Sequence, residues 1–394
     1  MKAIVVGGGV VGASLALAIT KFSKGNIQVS LIAAVLPNNK VYNSFHNKTL
    51  ALTYGTYQKF LEIGIWSALK KYITPIIEIY ISEYIHSWVL NIKSKDYSLP
   101  AFGYVVSLTD IENYLFEELR KAPGIKLYCP DEVVTFKRKA DFVLVKLRSG
   151  KILKGQLLLG ADGSDSLIRK ISQIEFKKKS YQQCAVIANI FTSELLHGRA
   201  FERFTQNGSL AILPLSQNKS SLIWCHPLEE KKNIMKWCDN KFIVELQKFF
   251  GWQLGEIQLV TERSFFSLWF SQAKKNISHR IVLVGNAAQT IHPVAAQGFN
   301  LGMRDIMILA KMISRVADSG GDIGNYSVLM NYQIQRDYDR QRIIKLTDNL
   351  IFLFANNNRF FSMSRGIVFM LMQKLPFVRD VFIKKIFGTK SFYY

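Results

Sequence analysis

The N-terminus constrains this chain more than any other stretch. Residues 3–6 (AIVV) form a short apolar run, and Gly7-Gly8-Gly9-Val10-Val11-Gly12 follows directly. The match is Gly-x-Gly-x-x-Gly, with a helical pattern over 13–22 and a second apolar run over 27–33 at the spacing of a βαβ unit. Each glycine has a physical task. Gly7 permits the tight turn, Gly9 lets the backbone approach a pyrophosphate, and Gly12 allows close helix–strand packing. The helix then presents its positive dipole end to the phosphates. Residues 3–20 are uncharged and imitate a signal peptide or a short membrane span, but four glycines within 3–12 weaken any such helix. Dinucleotide binding explains those glycines, and it predicts an α/β fold on a parallel sheet. One part is missing. The second strand should end in an acid for the adenosine ribose, yet 31–34 read Leu-Ile-Ala-Ala and the first acid in the chain is Glu62. Asn38 or Asn39 is the neutral alternative.

The remaining composition narrows the partners. A chain of 394 residues holds two or three domains with a sizeable core. Its net charge of +22 points either to an anionic partner or to a lysine-rich surface bias. Nucleic acid is not expected, because no nucleic-acid-binding motif occurs. Cys129, Cys184, Cys225 and Cys238 stand far apart, so neither a metal site nor a disulfide framework is expected, and a reducing compartment is.

Beyond the first unit, 53–66 reads as a helix, and 75–82 and 103–106 read as strands. Thr109 or Asp110 is the expected cap of a helix running to Lys121. Residues 133–159 alternate as three strands of an antiparallel meander, leading into Gly160-Ala161-Asp162-Gly163-Ser164 with Ser164 placed to cap the next helix. A second strand-rich block (181–192, 200–204, 209–213, 221–225, with a helix near 241–250) reads as a separate sheet closing over a ligand. Residues 268–270 and 281–284 are expected to return the chain to the first domain. The stretch 285–304, GNAAQTIHPVAAQGFNLGMR, then crosses from strand to a helix beginning near Gly298. Helices are expected from Gly324 to about 354 and again over 361–372.

Three motifs in this order carry a resemblance: Gly7/Gly9/Gly12, then Asp162-Gly163 with Ser166 and Arg169, then 285–304 running into Pro293 and Gly298-Phe299-Asn300. The chain resembles the FAD-dependent aromatic hydroxylases of the p-hydroxybenzoate hydroxylase fold over nearly its whole length. Finer matches at 49–54 (TLALTY), 103–106 (GYVV), 200–215 and 285–305, with Asn286, Gln289 and His292-Pro293, resemble the ubiquinone-biosynthesis branch, most of all the 2-polyprenyl-6-methoxyphenol hydroxylases. The resemblance implies a Rossmann-like FAD domain with a β-meander (1–74, 105–170, 271–325), an inserted β-sheet substrate domain (75–104, 171–270) and a C-terminal helical region (326–394). It implies FAD as cofactor, held by Gly7, Gly9, Gly12 and Lys48. Asp162 and Gly163 would serve both FAD and a transient NAD(P)H. Asn286 would meet the ribityl region and Pro293 the isoalloxazine ring, with Gly298, Phe299, Asn300 and Leu301 at its pyrimidine edge. The implied reaction is hydroxylation of a polyprenylated phenol through a peroxyflavin, in the cytoplasm or peripherally at the inner membrane face.

Three departures from that family keep a second reading open. Ala33 replaces the ribose acid, Lys48 replaces an arginine and loses its bidentate fork, and Ala296 replaces a glycine beside the flavin. A non-catalytic subunit of a quinone-biosynthetic complex is therefore the alternative; a simple NAD(P)-dependent dehydrogenase is argued against by the late motif. His292 reads either as an acid/base at the flavin, beside Pro293, or as a structural histidine. Arg203 either reaches the site or sits on a sheet edge, and Phe204, Leu213 and Pro214 are either pocket walls or core. The tail from 356 to 394, with seven Lys or Arg and the single acid Asp380, is either a segment for an anionic membrane or a helical cap.

Overall fold

The computed structural model describes residues 1–37, 48–84, 89–205 and 208–355, together with Leu375, Phe377, Arg379, Asp380 and Ile383. Asn38, Asn39 and most of the tail, including the helix expected over 361–372, lie outside the described residues. Among the described residues the strands fall into four sheets.

The first sheet has six strands in the order Ile277–Ser278, Ile281–Leu283, Leu157–Gly160, Lys2–Val6, Gln28–Ile32, Ile125–Tyr128. All neighbours are parallel except the first pair. Leu157, Leu158 and Leu159 are wholly buried, as expected of a strand covered on both faces. One face carries the helices Val10–Ser23, Leu108–Lys121 and Gln297–Asp318, whose Leu15, Ile19, Ile111, Leu115, Ile306 and Ile313 join one core. The other carries the antiparallel meander Val133–Arg138, Val143–Leu147, Ile152–Gly155 through Val133, Phe136, Val143 and Val145.

The second, nine-stranded sheet is built around the long strand Phe176–Thr192, flanked by Ser264–Ala273 and Lys219–Pro227. Gly208–Pro214, Arg199–Thr205 and Glu78–Glu83 extend it outward. Its outer face packs Leu210, Leu222 and Trp224 on the helix Asp239–Phe250. Its inner face looks toward the first domain, where Thr49 Oγ1 donates to Ser221 Oγ at 2.9 Å. A three-stranded sheet, Thr49–Thr53, Gly103–Ser107 and Ile73–Ile76, bridges the two.

Several expectations are corrected. Residues 268–270 lie within Ser264–Ala273, a strand of the second sheet, so the return to the first domain begins only at Ile277. Residues 133–159 hold four strands; Leu157–Gly160 leaves the meander for the parallel sheet. The helix expected over 53–66 breaks near Gly64, at φ +80°, into Tyr54–Glu62 and Trp66–Leu69. Ser107, not Thr109 or Asp110, starts the helix Leu108–Lys121, and Ser166 replaces Ser164 as cap, its Oγ accepting from Arg169 N at 3.0 Å.

The last long helix, Tyr326–Ala355, is fastened by charge. Asp305 is fully buried; its Oδ1 accepts from Arg336 Nε at 2.6 Å, and its Oδ2 from Gln289 Nε2 at 2.9 Å and Arg340 Nε at 3.2 Å. Burial raises its pKa, but Arg340 and Arg336 outweigh that and hold the carboxyl below the ordinary carboxylate range. Its stabilisation is therefore complete above the unfolded pKa of about 3.9 and is lost as pH falls through the lower folded value. Asp305→Ala removes the carboxylate that Arg336 and Arg340 share, leaving them only Asp339 and Asp337 as acid partners among the described residues, and is expected to cost about 3 kcal/mol in urea unfolding at pH 7. A loss below about 1 kcal/mol, the range of an exposed pair, would contradict this account.

Candidate active site

Three neighbouring strands of the first sheet end level, since Val6 pairs with Gly160 and Gly160 with Leu283. Each runs into a turn of small residues, and the turns touch. Gly7 adopts φ +114° and donates its N–H to Ile32 O at 2.9 Å. A Cβ on Gly7 would run into the Ala161 carbonyl, and one on Gly12 into the Gly7 carbonyl. Gly285, at φ +59°, leaves only 3.1 Å between an added Cβ and Val11 Cγ1. Gly9 and Gly163 behave oppositely, for a Cβ on either would meet nothing within 4 Å. One set of glycines thus locks the turns together and the other leaves the backbone approachable. Gly9 is also the N-cap of the helix Val10–Ser23 and has no side chain to occupy the first-turn amides.

Ala33 is buried, its backbone held by Tyr128 O and Asp131 N. Among the described residues, the acids that follow in sequence on the adjoining strand end, Asp131 and Glu132, are already engaged. Asp131 is taken by the Ser149 hydroxyl at 2.6 Å, and Glu132 pairs with Arg148 at 2.6 Å.

The second turn is tied to the third by a residue whose role the sequence did not disclose. Arg169 is buried, donates to Ala287 O at 2.9 Å and Ser164 O at 2.7 Å, and stacks 3.6 Å from the Phe176 ring centroid. Its only signal was the fixed spacing from Asp162-Gly163. Asp162 Oδ2 accepts from Ile168 N at 3.1 Å, while its Oδ1 is buried without a partner. Asn286 is exposed on the short turn Gly285–Ala287.

The late motif is stitched to the second sheet, where Gln289 and Thr290 pair with Gln272 and Ser271. His292 follows, buried. Its Nδ1 accepts from Val294 N at 3.1 Å, which assigns the proton to Nε2, and that nitrogen donates to Gln183 Oε1 at 2.9 Å. Burial pushes its pKa down to about 4. A neutral ring with both nitrogens engaged holds the loop and has no free site for a proton. Pro293 opens the turn, and Ala295 and Ala296 then take φ +56° and +50°, left-handed conformations costing about 1–2 kcal/mol each for a residue with a Cβ. The helix begins at Gln297. A Cβ on Gly298 would meet only Ile291 Cγ1, at 3.7 Å, so its backbone is open. Asn300 is a buried clip: Nδ2 donates to Ala51 O at 2.9 Å and Ala296 O at 2.7 Å, and Oδ1 accepts from Thr53 N at 2.9 Å and Thr56 Oγ1 at 2.7 Å. Phe299 packs partly into the core. Leu301 is fully buried in the second turn of the helix, in a cluster with Ile291, Ile343 and Ile344. The Lys48 ammonium lies 3.9 Å from the Phe266 ring centroid, on the inner face of the second sheet.

Between that face and the late loop lies a small pocket lined by Gln183, Phe204, Gly208, Ser209, His292, Val294 and Ile351. Phe204 is thus a pocket wall. Arg203 points the other way, its guanidinium 5.8 Å from the Tyr84 ring centroid. Leu213 packs with Ile76, Val105 and Ala200.

The model of the FAD-binding domain family matches residues 1–345. The chain belongs to that family. It is 28% identical over 386 residues to the ubiquinone hydroxylase UbiL of Rhodospirillum rubrum, covering 98% of this chain and 89% of the relative. It is 27% identical over 355 residues to the 3-demethoxyubiquinol 3-hydroxylase of Escherichia coli, covering 90% of each. The crystal structure of p-nitrophenol 4-monooxygenase PnpA from Pseudomonas putida DLL-E4 superposes with a TM-score of 0.81 at 17% identity, covering 99% of this chain and 98% of that one. The fold is accordingly that of the FAD-dependent monooxygenases. The residues present fit FAD: an approachable Gly9 backbone at an uncapped helix N-terminus for the pyrophosphate, and a buried, unpartnered Asp162 Oδ1 to accept from a hydroxyl.

The left-handed alanines generate a test. Ala296→Gly removes a Cβ from a conformation that penalises it and is expected to raise stability by about 1 kcal/mol in urea unfolding. Unchanged or lower stability would show that φ +50° is not the conformation of Ala296 in solution.

Proposed function

We propose that this chain is a flavoprotein monooxygenase that hydroxylates a polyprenylated phenol in ubiquinone biosynthesis, with FAD as cofactor, NAD(P)H as reductant and O₂ as oxygen source. The observation that carries this reading is the cradle of three touching turns, Gly7–Gly12, Asp162–Gly163 and Gly285–Ala287, with the approachable Gly9 backbone at a helix N-terminus and the buried, unpartnered Asp162 Oδ1. When bound, the flavin supplies the redox chemistry. The chain's own residues bind and orient. Gly9 receives the pyrophosphate in a turn that Gly7 and Gly12 close, Asp162 and Gly163 receive the adjoining hydroxyls and the passing NAD(P)H, and Asn286 the ribityl end. Pro293 borders the ring, and the amides of Gly298 and Phe299, in the first turn of the helix, face its pyrimidine edge. Asn300 and His292 keep that loop in place. Lys48 supplies a positive charge beside Phe266 on the inner face of the second sheet.

A prenyl tail needs a route from the bilayer. Among the described residues no helix is long and apolar enough to cross a membrane. Peripheral attachment to an anionic membrane face fits the +22 charge and the exposed run Lys177-Lys178-Lys179, where the Lys178 ammonium lies 4.6 Å from the centroid of the half-exposed Trp269 ring. Attachment to a quinone-biosynthetic complex would serve the same end.

Incubating the FAD-loaded protein with 2-prenylphenol, NADPH and ¹⁸O₂ tests the reaction. A ring-hydroxylated product carrying one labelled oxygen is expected, together with phenol-stimulated NADPH oxidation. NADPH oxidation that yields only hydrogen peroxide, or a product labelled from water, would refute it.

A further inference from the structure

The long strand Phe176–Thr192 is irregular where it passes the late loop. Ser180 pairs with Trp269 and Cys184 with Ser267, so residues 181–183 bulge opposite the single residue Leu268. Gln182 takes φ +55° there, and its N–H donates to Ser180 Oγ at 3.0 Å. Two side chains of the bulge reach the loop. Gln183 is buried, and its Oε1 accepts from His292 Nε2 at 2.9 Å. Tyr181 stands edge-on to the His292 ring, with centroids 5.1 Å apart and planes at 88°, and its hydroxyl donates to Asp348 Oδ1 on the last helix at 3.4 Å. His292 passes this fixation on, because its Nδ1 accepts from Val294 N at 3.1 Å, directly before the left-handed Ala295 and Ala296.

What Nε2 meets decides what Nδ1 can do. A neutral imidazole has one donor and one acceptor nitrogen, whereas an imidazolium has two donors. Nδ1 can therefore receive the Val294 N–H only in the neutral ring. A carboxylate against Nε2 would favour the imidazolium, while an amide oxygen accepts the same hydrogen bond without a charge. We propose that Gln183 is a positioning residue of the flavin site: its uncharged Oε1 engages Nε2 of His292 and keeps Nδ1 an acceptor for Val294 N, and so holds the turn that carries Gly298 and Phe299 to the cofactor. This rests on the flavin placement proposed above.

The surroundings favour the neutral ring. Burial pushes the His292 pKa down to about 4. On the bulge itself, burial raises the Tyr181 pKa, so its hydroxyl stays uncharged. Asp348, on the last helix, is raised by burial against the opposing pull of the Tyr181 hydrogen bond and Lys179, and its Oδ1 is turned to that hydroxyl. Across the small cavity beside the pair, Phe204, Gly208, Ser209 and Ile351 carry no charge. Beyond them on that wall stand Glu202, on the strand of Phe204, and Glu83, the register partner of Phe204 on the parallel neighbour. The two His292 nitrogens are occupied by Gln183 and Val294.

The test is FAD retention, read as flavin fluorescence released on dilution of the FAD-loaded full-length protein between pH 5.5 and 8.5. Wild type, Gln183→Glu and Gln183→Leu are compared, with His292 followed by NMR of ring-labelled histidine. Gln183→Glu should hold FAD within about threefold of wild type at pH 8.5 and about 10-fold more weakly at pH 5.5, as its His292 gains a proton that the wild-type ring does not. Gln183→Leu leaves the Nε2 proton without its acceptor and should weaken FAD about 10-fold at every pH. A wild-type pH profile in Gln183→Glu overturns the assignment, and so does a His292 that stays neutral in that variant. Wild-type retention in Gln183→Leu does the same. A pH-independent loss shared by both variants, with lowered thermal stability, marks a merely structural role and also overturns it. Wild type that takes up no FAD overturns the placement on which the inference rests, whereas FAD-loaded wild type that fails to hydroxylate leaves Gln183 in its role.

Discussion

The close approach of the Gly7 turn to the Ala161 carbonyl and of Gly12 to the Gly7 carbonyl is the constraint on which the site depends. Parallel strands bring the three turns to one edge of the sheet, but only backbones without a Cβ let them nest. Val11 then rests on Gly285, which carries the register of the first turn through to the third. A methyl group at Gly7 or Gly12 would push the turns apart and misalign every amide that faces the cofactor. The open glycines matter only because the closed ones fix them.

Buried polar groups do the remaining fastening. Asp305 binds the last helix to the late motif, Arg169 joins the second turn to the third, and Asn300 ties the loop after Pro293 to Thr53 and Thr56. Each has its hydrogen-bonding capacity directed at specific protein atoms, which rigidifies a site that must hold a ring within a few tenths of an ångström. Two left-handed alanines are the counterweight, and the clip at Asn300 restrains the turn that contains them. Asp162 Oδ1, beside the open Gly163 backbone, is a buried acceptor at the cradle that no protein donor among the described residues meets.

Much of this was legible in the sequence where the signal is local. The Gly7–Gly12 turn, the strand before it and the helix after it are set by neighbours in the chain, and so is the strand-to-helix crossing at 285–304. What was not legible depends on distant partners. Asn300 meets residues 247 and 244 positions away, and nothing near it in the chain marks its side chain as a clip. The strand Ser264–Ala273 is apolar enough for either sheet, so only pairing decides that it belongs to the second. Arg203 and Phe204 are neighbours in sequence, yet the pleat sends them to opposite faces.

The central claim is that these three turns form a working flavin cradle despite Ala33 and Lys48. The absorption spectrum of the purified protein, followed by titration with FAD, tests it most directly. The account predicts flavin bands at close to one FAD per chain, and a Gly9→Glu variant that stays folded but colourless because its carboxylate fills the pyrophosphate space. A wild-type protein that is colourless and takes up no added FAD would contradict it and favour the non-catalytic subunit. A yellow Gly9→Glu variant would contradict the placement of the pyrophosphate.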